Sequence, residues 1–286
     1  MDYLARARQF RAKKRLGQNF LIDGGVIQKI IENADLSSDE TVIEIGAGLG
    51  FVTEELAKKV KKVIAIEIDF DAIKELSSLP YSNIEIVSQD ILQTELSKLV
   101  EKPVKIIANI PYYITSPILV HLLGEIDQAE YENRKYIKEI ILMVQWEVAK
   151  RLIADEKSKN KDYGLLSILA NFWSEPELIC KVPSRSFFPA PKVDSAVIKL
   201  TVREKPALEL DNAKHFRRVI QASFNMRRKN IKNALMGGGF NSEIVSRSLE
   251  KAGIDPVRRG ETLSMNEFKI LSDFIQKEIE NGNDKG

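Results

Sequence analysis

The stretch Glu44-Ile45-Gly46-Ala47-Gly48-Leu49-Gly50-Phe51 decides how this chain folds. It follows Thr41–Ile45, a short β-branched apolar run that reads as a buried strand, and it opens residues 51–60, whose apolar spacing is helical. Strand, glycine-rich turn and helix make the first half of a βαβ unit. Outward from it the alternation continues. On the N-terminal side, Asp23 is placed to cap a helix that carries Val26, Ile27, Ile30 and Ile31 on one face. On the C-terminal side, residues 63–66, 84–87, 104–108 and 140–144 read as strands, short and apolar as expected when both sheet faces are covered. Residues 177–182 and 196–202 add two more, the second alternating in the antiparallel manner. The pattern predicts a mainly parallel sheet with helices on both faces.

After Pro206 the pattern changes to three helical stretches, residues 213–236, 242–252 and 266–280, with no strand signal. Gly237-Gly238-Gly239 and the segment 253–260 separate them. The expected organisation is an α/β domain over residues 1–205, including a basic segment 1–20, and a small all-helical domain over 206–286. The chain has 286 residues, 44% of them hydrophobic and 29% charged, a globular balance. Its net charge of +2 means that any nucleic-acid contact must come from local clusters. Cys180 is the single cysteine and His121 and His215 the only histidines, so neither an intramolecular disulfide nor a Cys/His zinc centre is expected, and no metal. No apolar run approaches the roughly 18 residues that span a bilayer. The start has no secretory apolar region, and it lacks the serine content of a transit peptide. The expected location is the cytoplasm, with no membrane partner.

The glycine-rich turn is the first candidate binding site, because glycines accept positive φ and let backbone lie against a ligand. The dinucleotide fingerprint requires Gly or Ala where Phe51 stands, which disfavours NAD and FAD. A P-loop is excluded, since no Lys-Ser/Thr follows. A nucleoside ligand without pyrophosphate remains, and S-adenosylmethionine is such a ligand. Glu67, at the end of the second strand, is placed to accept both ribose hydroxyls, and Asp90, after the third, to accept from the adenine amine. All three elements fall beyond the carboxyl ends of parallel strands, where open α/β sheets bind ligands.

After the fourth strand comes Asn109-Ile110-Pro111-Tyr112-Tyr113. Adenine N6 is a poor nucleophile because its lone pair is delocalised into the ring. Two acceptors, the Asn109 side-chain carbonyl and the Ile110 backbone carbonyl, can hold the amine hydrogens and favour a tetrahedral nitrogen. Pro111 fixes the backbone, and Tyr112 offers a ring to the base face. No strong base is needed, since the proton becomes acidic once the nitrogen is positively charged. Read as local structure alone, the same residues make an Asx-type turn.

Asn109-Ile110-Pro111-Tyr112 resembles motif IV of adenine-N6 methyltransferases. Lys14-Arg15-Leu16-Gly17-Gln18-Asn19-Phe20-Leu21, Phe187-Phe188-Pro189-Ala190-Pro191-Lys192-Val193-Asp194-Ser195 and Phe224-Asn225-Met226-Arg227-Arg228-Lys229 resemble segments of ribosomal RNA adenine dimethyltransferases. Together, over about residues 12–268, they resemble the KsgA/RsmA family. The resemblance implies a Rossmann-like S-adenosylmethionine-dependent methyltransferase domain with a helical RNA-recognition domain. It implies dimethylation of two adjacent adenines near the 3′ end of small-subunit (16S) ribosomal RNA, within an immature small subunit. It further implies that Asn19, Leu21, Gly46, Gly48, Glu67, Asp90 and Asn109 line the cofactor site, and that Phe187 stacks on the target base opposite Tyr112.

Two acid-poor basic runs suit phosphate binding. One is residues 212–232, containing Arg227, Arg228 and Lys229. The other is the first twenty residues, containing Lys13, Lys14 and Arg15. A solvated helix face is the plainer reading of either run alone. The alternative function is a large-subunit (23S) dimethylase of the antibiotic-resistance type, which shares the first motifs. A DNA adenine methyltransferase is disfavoured by Ile110, where Pro-Pro is usual. Intact Asn109 and Glu67 argue against a non-catalytic relative. A zinc deaminase is excluded, because the chain lacks His-x-Glu and Cys-x-x-Cys.

Overall fold

The computed structural model describes residues 2–158, 162–226 and 228–283. Two compact units emerge. The first comprises residues 1–124, 130–149 and 174–203, and the second residues 125–129, 150–173 and 204–286. The last crossing, at Arg203, lies close to the cut expected after residue 205. The second unit differs from that expectation in also drawing on residues 125–129 and 150–173. Helices there supply apolar side chains that the C-terminal helices need, and sequence distance does not reveal such a pairing.

The first unit is built on seven strands: β2 (Thr41–Ile45), β3 (Lys62–Glu67), β4 (Ile84–Ser88), β5 (Val104–Asn109), β6 (Ile137–Gln145), β7 (Ser174–Val182) and β9 (Ser195–Val202). Their order across the sheet is β4-β3-β2-β5-β6-β9-β7. The first five run parallel; β9 pairs antiparallel with both β6 and β7. Along β2 and β3, Val42, Ile43, Val63, Ile64 and Ala65 are 0–1% exposed, as a sheet covered on both faces requires. A two-stranded ribbon, β1 (Phe20–Leu21) with β8 (Phe187–Phe188), joins the N-terminal segment to residues far along the chain. Helix α1 (Tyr3–Gln9) precedes it. Helix α2 (Gly24–Asn33) starts at Asp23, whose carboxylate accepts from the Gly25 and Val26 N–H groups. Helices α3 (Phe51–Ala57), α4 (Phe70–Ser77) and α5 (Thr115–Leu123) link successive strands. Helix α6 (Trp146–Ile153) leads out of the sheet after β6.

The second unit contains α7 (Leu165–Trp173), α8 (Ala213–Asn225), α9 (Ile231–Gly237), α10 (Ser242–Lys251) and α11 (Met265–Asn283). Phe172 lies edge-on to Trp173 (4.6 Å) and beside Phe216 (6.5 Å), and Phe224 packs on Phe268 (5.7 Å). The helix expected over residues 213–236 is two helices. Asn230 caps α9 by accepting from the Asn233 N–H (2.9 Å), so the backbone leaves the helical path before it.

Candidate active site

The sheet order reverses between β2 and β5, with β3 and β4 on one side and β6 on the other. A cavity of about 290 Å³ opens there, at the lower end of the usual range for ligand sites. The ends of β2, β3 and β5 form its floor. Residues 16–20, 89–92 and 110–114 form its walls. The floor is tight. Gly46 has φ +73°, its N–H donates to the Ile66 carbonyl (2.9 Å), and an added Cβ would lie 2.9 Å from the Asn109 carbonyl oxygen. Any larger residue would fill this cradle. Gly48 (φ +54°) similarly admits the Phe20 ring to 3.2 Å of where its Cβ would be.

Glu67 is 8% exposed, and its carboxylate organises this end of the sheet. Oε2 accepts from the Gly48 N–H (2.8 Å), while Oε1 accepts from Ile68 and Asp69 (2.8 Å each). The acid thus fixes the glycine-rich turn and still lines the cavity. Asp90 ends the β4 loop in the same way, with Oδ1 accepting from the Leu92 N–H (3.0 Å). Beneath the turn, Glu44 is 3% exposed. Burial, with the Glu67 charge adding, pushes its carboxyl up to about 8, so at neutral pH it carries its proton.

On the opposite wall, Asn109 closes β5 and Pro111 (φ −58°) starts a tight turn over Tyr112–Ile114. Tyr112 is held from behind: its hydroxyl meets Ser195 Oγ at 2.6 Å, and burial raises its phenol above the ordinary value. The Phe187–Ser195 segment therefore reaches the Asn109–Tyr113 turn through its last residue. Tyr113, 65% exposed, rests against Gly17, whose missing Cβ leaves 3.2 Å to the ring.

Asn19, Gly46, Gly48, Glu67, Asp90, Asn109, Ile110, Pro111 and Tyr112 all line this one cavity. Leu21 and Phe187 do not. They are Cα partners across the β1–β8 ribbon, 2% and 3% exposed, with both side chains in the apolar core of the first unit. Strand alternation explains this, since one residue of each two-residue strand must turn inward. The base-stacking face expected of Phe187 is thus not presented to the cavity. Lys13 is also placed otherwise than expected. Its ammonium bonds Asp69, and it lies 2.6 Å from Asp71, so its charge is already matched. Lys14 and Arg15 are exposed, as are Arg228 and Lys229 in the second unit. Arg227 lies outside the described residues. Arg217, from the same basic run, pairs with Glu125 (2.8 Å) and Asp127 (3.5 Å).

Sequence reasoning missed Gln18, Ile68, Gln89 and Tyr113, which line the cavity, and Ser195, which steadies Tyr112. Each adjoins or belongs to a recognised motif, so adjacency was the signal available. No cluster of His, Cys, Asp and Glu suited to a metal occurs among the described residues, and no helix there is long and apolar enough to cross a membrane.

A family model described as "Ribosomal RNA adenine dimethylase" matches residues 9–277. "Ribosomal RNA small subunit methyltransferase A" of Bacillus pumilus is 43% identical over 94% of this chain and 93% of its own length. The protein of that name from Moorella thermoacetica is 42% identical over 96% of each chain. Among solved structures, a dimethyladenosine transferase from Plasmodium falciparum superposes with a TM-score of 0.70 at 27% identity, covering 91% of this chain and 98% of that one. The 23S rRNA methyltransferase ErmE gives 0.65 at 29%, covering 90% and 100%.

Proposed function

Because the chain belongs to the ribosomal RNA adenine dimethylase family, we propose that the cavity at the β2–β5 reversal holds S-adenosylmethionine and receives the adenine on its Asn109 side. The activity is methylation of adenine N6 in small-subunit ribosomal RNA, as in the relatives that are 42–43% identical over nearly the whole chain. The large-subunit alternative has weaker support, a structural neighbour at 29% identity. One observation carries the site assignment: Glu67, Asp90, the Gly46 cradle and Asn109 border a single cavity.

The residues fit the cofactor. Glu67 and Asp90 are acceptors for ribose hydroxyls and an adenine amine. Gly46, with no Cβ, lets the glycine-rich turn pack directly on the Asn109 carbonyl, so that the two strand ends meet beneath the cavity. When bound, S-adenosylmethionine supplies an electrophilic methyl on a sulfonium. The protein's own part is to prepare the nitrogen. The Asn109 side-chain oxygen and the Ile110 carbonyl accept its two hydrogens, shifting the lone pair out of conjugation. Tyr112, braced on Ser195, walls the base. Each transfer forms one N–C bond, breaks one S–C bond and releases one proton from N6. Two transfers complete each dimethylated adenine.

We assign as targets two adjacent adenines near the 3′ end of the RNA, within an immature small subunit in the cytoplasm, where subunits are assembled. Purified protein and labelled cofactor, with naked 16S RNA, immature small subunits, mature small subunits and naked 23S RNA offered separately, test this. Mass-spectrometric mapping should find dimethyladenosine at two neighbouring positions, most in the immature subunits. Label confined to large-subunit RNA would overturn the assignment.

A further inference from the structure

The N-terminal wall of the cavity, residues 16–20, is not part of the sheet, and apart from a 3₁₀ turn at Lys14–Leu16 it has no regular structure until β1. Something must hold it. At its far end α1 is tied to α3: Tyr3 donates to Glu55 (3.2 Å), and Arg6 to Glu54 and the Leu49 carbonyl (3.1 Å each). Nearer the cavity the buried Asp69 carboxylate does most of the holding, with Asp71 also meeting Lys13 (2.6 Å). Asp69 is 2% exposed and accepts from both the Lys13 ammonium and the Gln18 amide (2.6 Å). Gln18 in turn accepts the Lys13 backbone N–H (2.7 Å), so residues 13–18 form a loop closed on Asp69.

Asp69 is fixed on its own side too. Its N–H is held by Glu67, and its carboxylate caps α4 through the Asp71 N–H (3.1 Å). The ribose-side acid and the anchor of the opposite wall therefore share one turn of chain. Burial alone would lift the Asp69 carboxyl; the Lys13 and Gln18 hydrogen bonds outweigh it and hold the group below its ordinary value.

We infer that Asp69 is a positioning residue, and that Lys13 and Gln18 clasp the N-terminal segment onto it to complete the cofactor cavity. The inference rests on the assignment of that cavity to S-adenosylmethionine. It removes Lys13 from the phosphate-binding set, because a cation matched by two carboxylates has no net attraction left for RNA. Losing the clasp leaves Asn109 on β5 and Tyr112 braced on Ser195, and loosens only the contact of Gly17 with Pro111 and Tyr113. Its effect therefore falls on cofactor binding, which must then order the loose segment, more than on turnover once the cofactor is bound.

The test uses the full chain as Lys13→Met, Asp69→Asn, the double variant and, as control, Glu67→Ala. Calorimetry measures S-adenosylmethionine binding, filter binding measures RNA, and amide exchange follows residues 13–20. Lys13→Met, a change at a partly exposed side chain whose folding a thermal melt checks, should weaken the cofactor about tenfold, the loss of one charged hydrogen bond. It should raise the cofactor KM with kcat at saturation within about twofold, and leave RNA affinity unchanged. The double variant should be no weaker than Asp69→Asn alone, the sign of one shared interaction. Exchange at residues 13–20 should quicken without cofactor and slow again at saturation. Unchanged cofactor affinity in Lys13→Met beside a weakened Glu67→Ala overturns the clasp and leaves the site assignment standing. Unchanged affinity in both overturns the two together, and a loss of RNA affinity alone returns Lys13 to the RNA surface.

Discussion

Replacing Glu67 with alanine removes the group on which the site converges. The carboxylate accepts three backbone N–H groups at 2.8 Å, from Gly48, Ile68 and Asp69, and it lines the cavity. Two effects separate. A hydrogen bond from a ligand hydroxyl to a charged acceptor contributes about 1.5–3 kcal/mol, so losing it should weaken S-adenosylmethionine about ten- to a hundredfold. The three N–H groups also lose their acceptor. Since Glu67 is nearly buried, water replaces it poorly, and the cost of each unmet group, about 1–3 kcal/mol, falls on the apo protein. Titration calorimetry reads the first effect and a thermal melt without ligand the second. Glu67→Gln sharpens the comparison. Its amide oxygen can keep the Ile68 and Asp69 bonds, but its NH₂ then faces the Gly48 N–H, donor against donor. The glutamine variant should therefore melt closer to wild type than alanine does, yet still bind the cofactor weakly. A lowered melting temperature with wild-type affinity in both variants would make Glu67 a structural acceptor only and would refute its place in the cofactor site.

Asn109→Ala should lower kcat by about 10²–10³, the usual loss for one preorganised polar contact in the transition state. Normal turnover at saturating cofactor would refute that role. Phe187→Ala should cost about 3–5 kcal/mol of stability, because the ring is 3% exposed in the core; a variant that melts normally but fails only in RNA methylation would restore the base-stacking role. Glu44, neutral when folded with a pKa of about 8, takes up a proton on folding, so stability contributed by the protonated form is lost as pH rises from the unfolded value near 4.5 toward 8. Glu44→Gln should remove that decline in denaturant titrations run from pH 5 to 9, and an unchanged profile would mean that the group is ionised throughout. Changing Arg228 and Lys229 to Ala should reduce the log–log salt slope of RNA binding by up to about 1.4–1.8, at about 0.7–0.9 per phosphate; an unchanged slope returns the pair to plain solvated surface.

The strands and the acids that border the cavity were legible in the sequence because both obey local rules. A strand buried on both faces must be a short β-branched run, and β2 begins and ends where the apolar pattern does. A ligand at an open parallel sheet must meet residues just beyond strand ends, which singles out Gly46, Glu67, Asp90 and Asn109 one element at a time. The sequence also marked the basic runs, though not which charges were already matched. Lys13 and Arg217 looked as available as Lys14, yet their partners lie 56 and about 90 residues away along the chain. Nothing local to either lysine or arginine encodes such a pairing. The same holds for Phe187, for which the resemblance implied stacking on the target base. Whether a residue in a two-residue strand faces core or cavity depends on its register against β1, which only the folded chain sets. Ser195 behind Tyr112, Asp69 beneath the N-terminal wall and the helices that residues 150–173 lend to the second unit are likewise decided by tertiary structure. Local periodicity fixes which elements form; the meeting of distant side chains depends on how the sheet is ordered and which faces its loops cross.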